Sequence, residues 1–95
     1  MIRTNLRITK HAYDRMRERK IKFRHVRSVL RYGKVIEDYP GDEPYPSSLI
    51  LGWIKGRPMH VVVADNMVDN VSSIITIYEP DRHLWEPDFE ARRKL

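Results

Sequence analysis

Cysteine is absent from this 95-residue chain, and so are long apolar runs. Without thiols the protein has neither disulfides nor a thiolate zinc site. The longest apolar run, HVVVA at 60–64, has the length of a strand, whereas a helix needs about 20 apolar residues to cross a bilayer. The first residues, MIRTNLRIT, contain no apolar signal core. We therefore expect a cytoplasmic protein that does not enter a membrane.

Acidic residues are scarce in the first third of the chain. Residues 1–35 contain twelve Lys or Arg but only two acidic residues, Asp14 and Glu18, and the whole chain has a formal net charge of +5. Lys and Arg that neutralise phosphates release counterions, so this surplus favours a polyanionic partner.

Hydrophobic periodicity predicts two helices, over residues 10–20 with Thr9 as N-cap and over residues 23–32 with Gly33 as the stop. Strands are predicted at 34–39, 47–54, 59–65 and 71–79, with a further strand compatible with residues 2–8 and a short helix compatible with the residues after Pro87. The order predicts one α+β domain over residues 1–95, with two N-terminal helices packed on a four-stranded antiparallel sheet and a short C-terminal tail. Strand 47–54 is apolar on both faces, which predicts that both are covered.

Three side chains of the first helix fall on one line. His11, Arg15 and Arg19 follow at i, i+4 and i+8. Arg presents a planar fork to phosphate oxygens, and His moves a proton near neutral pH. The line therefore suits phosphate binding and proton transfer at a ribose 2′-OH. A solvated basic helix face, paired with Asp14 and Glu18, explains the same spacing.

A second group of cations could bind nucleic acid. Arg24, Arg27 and Arg31 form a stripe beside the apolar face of the second helix, and Lys10 adds a charge at the start of the first. Four histidines without cysteine give no metal-ligand spacing, and no glycine-rich phosphate loop occurs. We therefore expect neither a metal nor a cofactor.

The last strand places a hydroxyl and a phenol, those of Thr76 and Tyr78, on one face. Both groups could bind phosphate or stack on a base, although Thr and Tyr are also simply good strand formers. His60 begins the preceding strand, and strand register decides whether it shares their face. Trp53 and Trp85 are expected in the core, with a contribution to a binding surface as the alternative.

Three segments of the chain, ITKHAYDRMRERKI, VLRYGKVIEDYP and IITIYEPDRHLW, together resemble the bacterial domain-of-unknown-function family 4258. The resemblance spans about residues 7–86. It implies a fold similar to that of the RelE, barnase and colicin-type ribonucleases, with two helices on a four-stranded antiparallel sheet. It also implies a metal-independent, toxin-like endoribonuclease that acts on RNA or the ribosome and is neutralised by a small acidic antitoxin.

The same resemblance implies roles for the candidate residues. His11 would be the general acid or base, and Arg15 and Arg19 would stabilise the pentacovalent phosphate. Thr76 and Tyr78 would line the cleft.

Two other interpretations stay open. In one, the protein is a non-catalytic module whose basic residues bind nucleic acid or an acidic protein, and His60 is part of that surface. In the other, the role is structural, and the apolar strand 48–54 is buried in a homodimer or against an antitoxin.

Overall fold

The computed structural model describes residues 5–94. In chain order the elements are β1 (Leu6–Ile8), α1 (Lys10–Glu18), α2 (Phe23–Tyr32), β2 (Lys34–Tyr39), β3 (Ser47–Ile54), β4 (Arg57–Asn66) and β5 (Val71–Tyr78). Both predicted helices and all four predicted strands are present. No described helix is long and apolar enough to span a membrane.

The sheet has five strands in the order β1-β5-β4-β3-β2, and it is mixed. The prediction of four antiparallel strands was therefore wrong. β1 pairs in parallel with β5, where Leu6 lies opposite Ser72 and Ile8 opposite Ile74. A three-residue strand has too few side chains for a clear alternation, and its parallel partner is distant in sequence. Of the strand considered at 2–8, residues 2–4 lie outside the described residues.

Helix α1 begins where the sequence predicts and ends slightly earlier. The hydroxyl of Thr9 accepts a hydrogen bond from the backbone N–H of Ala12 at 3.2 Å, which caps the first turn. After Glu18 the backbone turns, and Lys20 adopts a positive φ of 57°. A helix cannot continue through that left-handed conformation.

Helix α2 ends at Gly33, whose backbone is extended with a ψ of 172°, and the chain packs closely there. A Cβ atom at Gly33 would lie 2.7 Å from the backbone oxygen of Leu51. Gly52 has a similar role on β3, where a Cβ atom would lie 2.6 Å from a methyl group of Val29. These two glycines let α2 approach the sheet more closely than any larger residue would permit.

One apolar core lies between the helices and the sheet. The helices contribute Ala12, Met16, Val26 and Val29, and the sheet contributes Ile50, Met59, Val61, Val63, Ile74 and Ile77. All ten side chains are buried. The helices thus cover one face of the sheet, as expected from the apolar faces of both.

The opposite face is covered in part by the C-terminal tail. Leu49 and Ile50, neighbours on β3, are both 1% exposed, so this strand is buried on both sides as predicted. Trp85 of the tail is buried, as expected. No helix forms between residues 87 and 94, because Phe89 has a φ of 60° and Trp85 forms an isolated bridge with Arg92.

Candidate nucleic-acid interface

His11 and Thr76 are brought together at the edge of the sheet. Nε2 of His11 lies 3.1 Å from Oγ1 of Thr76, and His11 is exposed. Thr9 fixes this arrangement, because its hydroxyl donates to the backbone oxygen of Ile74 at 2.9 Å and so ties the start of α1 to β5. A bulge at Ile75 shifts the register here, so that Thr76 pairs with Val62.

The two arginines of the predicted line differ in their surroundings. Arg15 forms an ion pair with Glu18 at 2.6 Å. Arg19 follows the last helical residue as the C-cap and is exposed. The hydrogen bond from Arg57 lowers the pKa of Glu79, and the nearby charge of Arg19 lowers it further. His11 and Arg15 therefore share a helix, and Arg19 lies just beyond its end.

Tyr78 contacts His60 rather than His11. Its phenol lies 3.2 Å from Nδ1 of His60, and the two residues pair directly across β4 and β5. Nε2 of His60 donates to the backbone oxygen of Phe89 at 2.9 Å, and the ring of Trp85 lies at a centroid distance of 4.4 Å. His60 is fully buried, so it is not part of a surface that nucleic acid could reach in this conformation.

Burial governs the ionisation of this pair. Loss of solvent lowers the pKa of His60, although the hydrogen bond to the oxygen of Phe89 opposes the shift. Burial also raises the pKa of Tyr78. Both groups are therefore favoured in their neutral forms, which suits a packed core histidine and its phenol partner.

Glu37, Tyr39 and Arg92 form a cluster that sequence reasoning missed. The guanidinium of Arg92 donates to both carboxylate oxygens of Glu37, at 3.2 and 3.3 Å, and the phenol of Tyr39 also donates to Glu37. Burial raises the pKa of Glu37, but these hydrogen bonds outweigh it and hold the pKa below its usual value. The bonds to Glu37 join the tail to β2, and Arg92 also lies 4.7 Å from the ring centroid of Trp85 within the tail.

Exposed cations that form no ion pair with a described residue lie on α1, on α2 and in the turn between them. Seven Lys or Arg between residues 17 and 31 form no ion pair with any described residue: Arg17, Arg19, Lys20, Lys22, Arg24, Arg27 and Arg31. We name this set the helical basic face. Lys10 lies outside it, because Asp14 neutralises it at 3.0 Å.

Aromatic rings accompany the arginines of this face. The guanidinium of Arg27 lies 6.0 Å from the ring centroid of Phe23, and that of Arg31 lies 5.4 Å from the ring of Tyr32. Such contacts hold long flexible side chains in place. Among residues 5–94 no three His, Asp or Glu side chains are grouped to hold a metal ion.

A model of a known protein family matches most of the chain. The model of the family described as Domain of unknown function (DUF4258) matches residues 8–79, which include both helices and strands β2 to β5. No curated protein and no solved structure matches the chain.

Proposed function

Because this chain belongs to the DUF4258 family, whose description assigns no activity, we propose a function from the site itself: the protein binds RNA through the helical basic face. The observation that carries the proposal is the group of seven exposed cations that form no ion pair with any described residue. The phosphates of an RNA backbone follow one another along the strand, so several of them can pair with these cations at once.

The distribution of charge supports a polyanion on this side of the molecule. Residues 1–35 hold twelve basic and two acidic residues, whereas residues 36–95 hold six basic and eleven acidic ones. The part of the chain that contains both helices is therefore strongly basic, and the remainder has a net negative charge. A polyanion approaching such a molecule is oriented toward the helices before contact.

Single charge removals test this proposal. Arg24→Gln, Arg27→Gln and Arg31→Gln each remove one cation from the helical basic face, and Lys94→Gln removes one from the tail as a matched control. We expect each arginine variant to weaken RNA binding by about threefold to tenfold and Lys94→Gln to leave it unchanged. Equal affinities for all four variants would contradict the proposal. Binding of an acidic peptide but not of RNA would favour the antitoxin-type partner instead.

A second candidate function is RNA cleavage, and the pairing of His11 with Thr76 favours it. In the tautomer protonated on Nδ1, Nε2 of His11 accepts the hydroxyl proton of Thr76. A ribose 2′-OH in place of that hydroxyl would pass its proton to Nε2 while its oxygen attacks phosphorus. The bond from phosphorus to the 5′-oxygen then breaks, that oxygen takes a proton, and a 2′,3′-cyclic phosphate remains.

The arginines would assist this reaction by stabilising charge. Arg19 is exposed and lacks an ion pair among the described residues, so its guanidinium is available to phosphate oxygens. Arg15 would have to exchange Glu18 for the phosphate. Such chemistry belongs to the metal-independent, RelE-like and barnase-like ribonucleases whose fold the family resemblance implies, and a toxin of that kind would act on free or ribosome-bound RNA. Cleavage of RNA in the presence of a chelator is its test.

A further inference from the structure

A cleft of about 330 Å³ opens where α2 passes into β2. Pairing between β2 and β3 begins at Lys34 and Leu51, so the last residues of β3 extend beyond the edge of β2 and leave a gap. The lining includes Ser28 and Tyr32 of α2, Lys34 of β2, Trp53 of β3 and Glu90 of the tail. This volume lies within the range of pockets that hold small flat ligands.

Two large aromatic side chains of this cleft face solvent. Tyr32 is 76% exposed and Trp53 is 54% exposed, whereas Trp85 is buried, so the expectation that both tryptophans lie in the core was wrong for Trp53. The ring of Phe89 packs edge-on against Trp53 at 6.1 Å, and Arg31 lies near the ring of Tyr32. Both rings therefore retain exposed surface.

Polar groups also line the cleft. Ser28 offers a hydroxyl, and Lys34 and Glu90 form an ion pair at 2.5 Å. A flat heterocycle with donors and acceptors on its edge matches this combination of exposed rings and polar lining groups. The cleft also borders the helical basic face, because the guanidinium of Arg31 lies 5.4 Å from the ring centroid of Tyr32, which lines the cleft.

We propose that this cleft binds an unpaired nucleobase of single-stranded RNA whose phosphates lie along α2. The inference rests on the proposed function, since the phosphate contacts come from the helical basic face. A duplex keeps its bases paired and stacked, so its bases cannot enter the cleft, whereas a single strand can turn one base out. A second cleft of about 410 Å³ is less suitable, because none of the residues that line it, such as Glu79, Asp81 and Arg82, belongs to the helical basic face.

Matched variants separate stacking from charge. Tyr32→Leu and Trp53→Leu remove a ring from the cleft, and Tyr13→Leu removes an exposed tyrosine of α1 outside it. Binding is measured for three probes: a fluorescent single-stranded RNA of mixed sequence, a duplex RNA of the same length, and inorganic polyphosphate, which has the charge but no bases. Urea unfolding of each variant checks that the fold is intact, and the high exposure of Tyr32 makes its variant the decisive one.

We expect Tyr32→Leu to weaken binding of the single strand by about tenfold and to leave binding of polyphosphate unchanged. The affinity of Tyr13→Leu for the single strand should equal that of the wild type. The single strand should also quench the emission of the exposed Trp53, whereas polyphosphate should not. Wild-type affinity of Tyr32→Leu for the single strand, or equal quenching by the duplex, would overturn the base pocket and leave RNA binding by the basic face intact. If the wild-type protein bound neither RNA nor polyphosphate, both proposals would be overturned.

Discussion

Nε2 of His11 and Oγ1 of Thr76 lie 3.1 Å apart, although 65 residues separate them in the chain. The contact exists because Thr9 ties the start of α1 to the backbone of β5. It places an exposed imidazole beside a hydroxyl at the border of the helices and the sheet. This is the pair on which the cleavage hypothesis depends.

His11→Ala is expected to abolish any RNA cleavage while leaving RNA binding within about twofold of wild type, because the cations that hold phosphate remain. His11 is exposed, so the variant should unfold at the same urea concentration as wild type. Gel analysis of RNA incubated with each protein in a chelator gives the measurement. His83→Ala, at an exposed histidine of the tail, is the control and should cleave normally. Equal cleavage by both variants would remove His11 from the mechanism.

The buried His60 should make stability depend on pH. Its pKa is lowered in the folded state, so the unfolded chain binds the proton more readily as the pH falls. The stability contributed by neutral His60 is fully present above about pH 6.5 and is lost as the pH falls through the folded pKa. Urea unfolding between about pH 8 and pH 5 measures this.

The variant His60→Gln should flatten that pH profile, even if it lowers the stability at every pH. His25 also has a lowered pKa, caused by burial and then by Arg24, and it accounts for a remaining slope of the same sign. His83→Gln serves as the exposed control. A profile for His60→Gln as steep as that of wild type would show that His60 is not the group responsible.

Removal of Arg92 should loosen the tail. Arg92→Ala deletes both hydrogen bonds to Glu37 and the contact with the Trp85 ring. Because the guanidinium is well exposed, the expected cost is modest, about 1 kcal/mol. Limited proteolysis should cut the tail faster in this variant, with Lys94→Ala as the control for loss of a tail cation. Unchanged proteolysis would mean that Trp85 and Phe89 hold the tail without Arg92.

Close packing at Gly52 gives a direct test of the fold. Gly52→Ala places a methyl group 2.6 Å from Val29, so α2 must move away from β3. We expect a loss of about 1–3 kcal/mol in the free energy of unfolding, as is usual for an overpacked core. Gly41→Ala is the matched control, since a Cβ atom there meets nothing within 4 Å. Equal stability of the two variants would contradict the described approach of α2 to the sheet.

The spacing of apolar residues along the chain predicted individual helices and strands correctly. Helix α2 was predicted at its observed bounds, because its apolar residues repeat with a helical period and Gly33 follows. Strand β3 was predicted as buried on both sides from its continuous apolar run. The contact of His11 with Thr76 joins residues 65 apart in the chain, and no spacing within one helix could predict it.

Long-range pairings could not be predicted in the same way. The register that joins His60 to Tyr78 depends on the bulge at Ile75, and a shift of one residue reverses the faces of a strand. The contact of Glu37 with Arg92 joins residues 55 apart through an irregular tail, which has no period to read. Trp53 is exposed although Phe89 of this tail packs against it, whereas tryptophan side chains are usually well buried.

The central claim is that the helical basic face binds RNA through phosphates, and the salt dependence of binding tests it most directly. The affinity of wild-type protein for single-stranded RNA is measured across a series of salt concentrations. With roughly three to seven phosphates neutralised, the logarithm of the affinity should fall with the logarithm of salt at a slope of about −2 to −5. The triple variant of Arg24, Arg27 and Arg31 to Gln should have a slope shallower by about 2. A slope near zero, or the same slope for the variant and the wild type, would contradict the account.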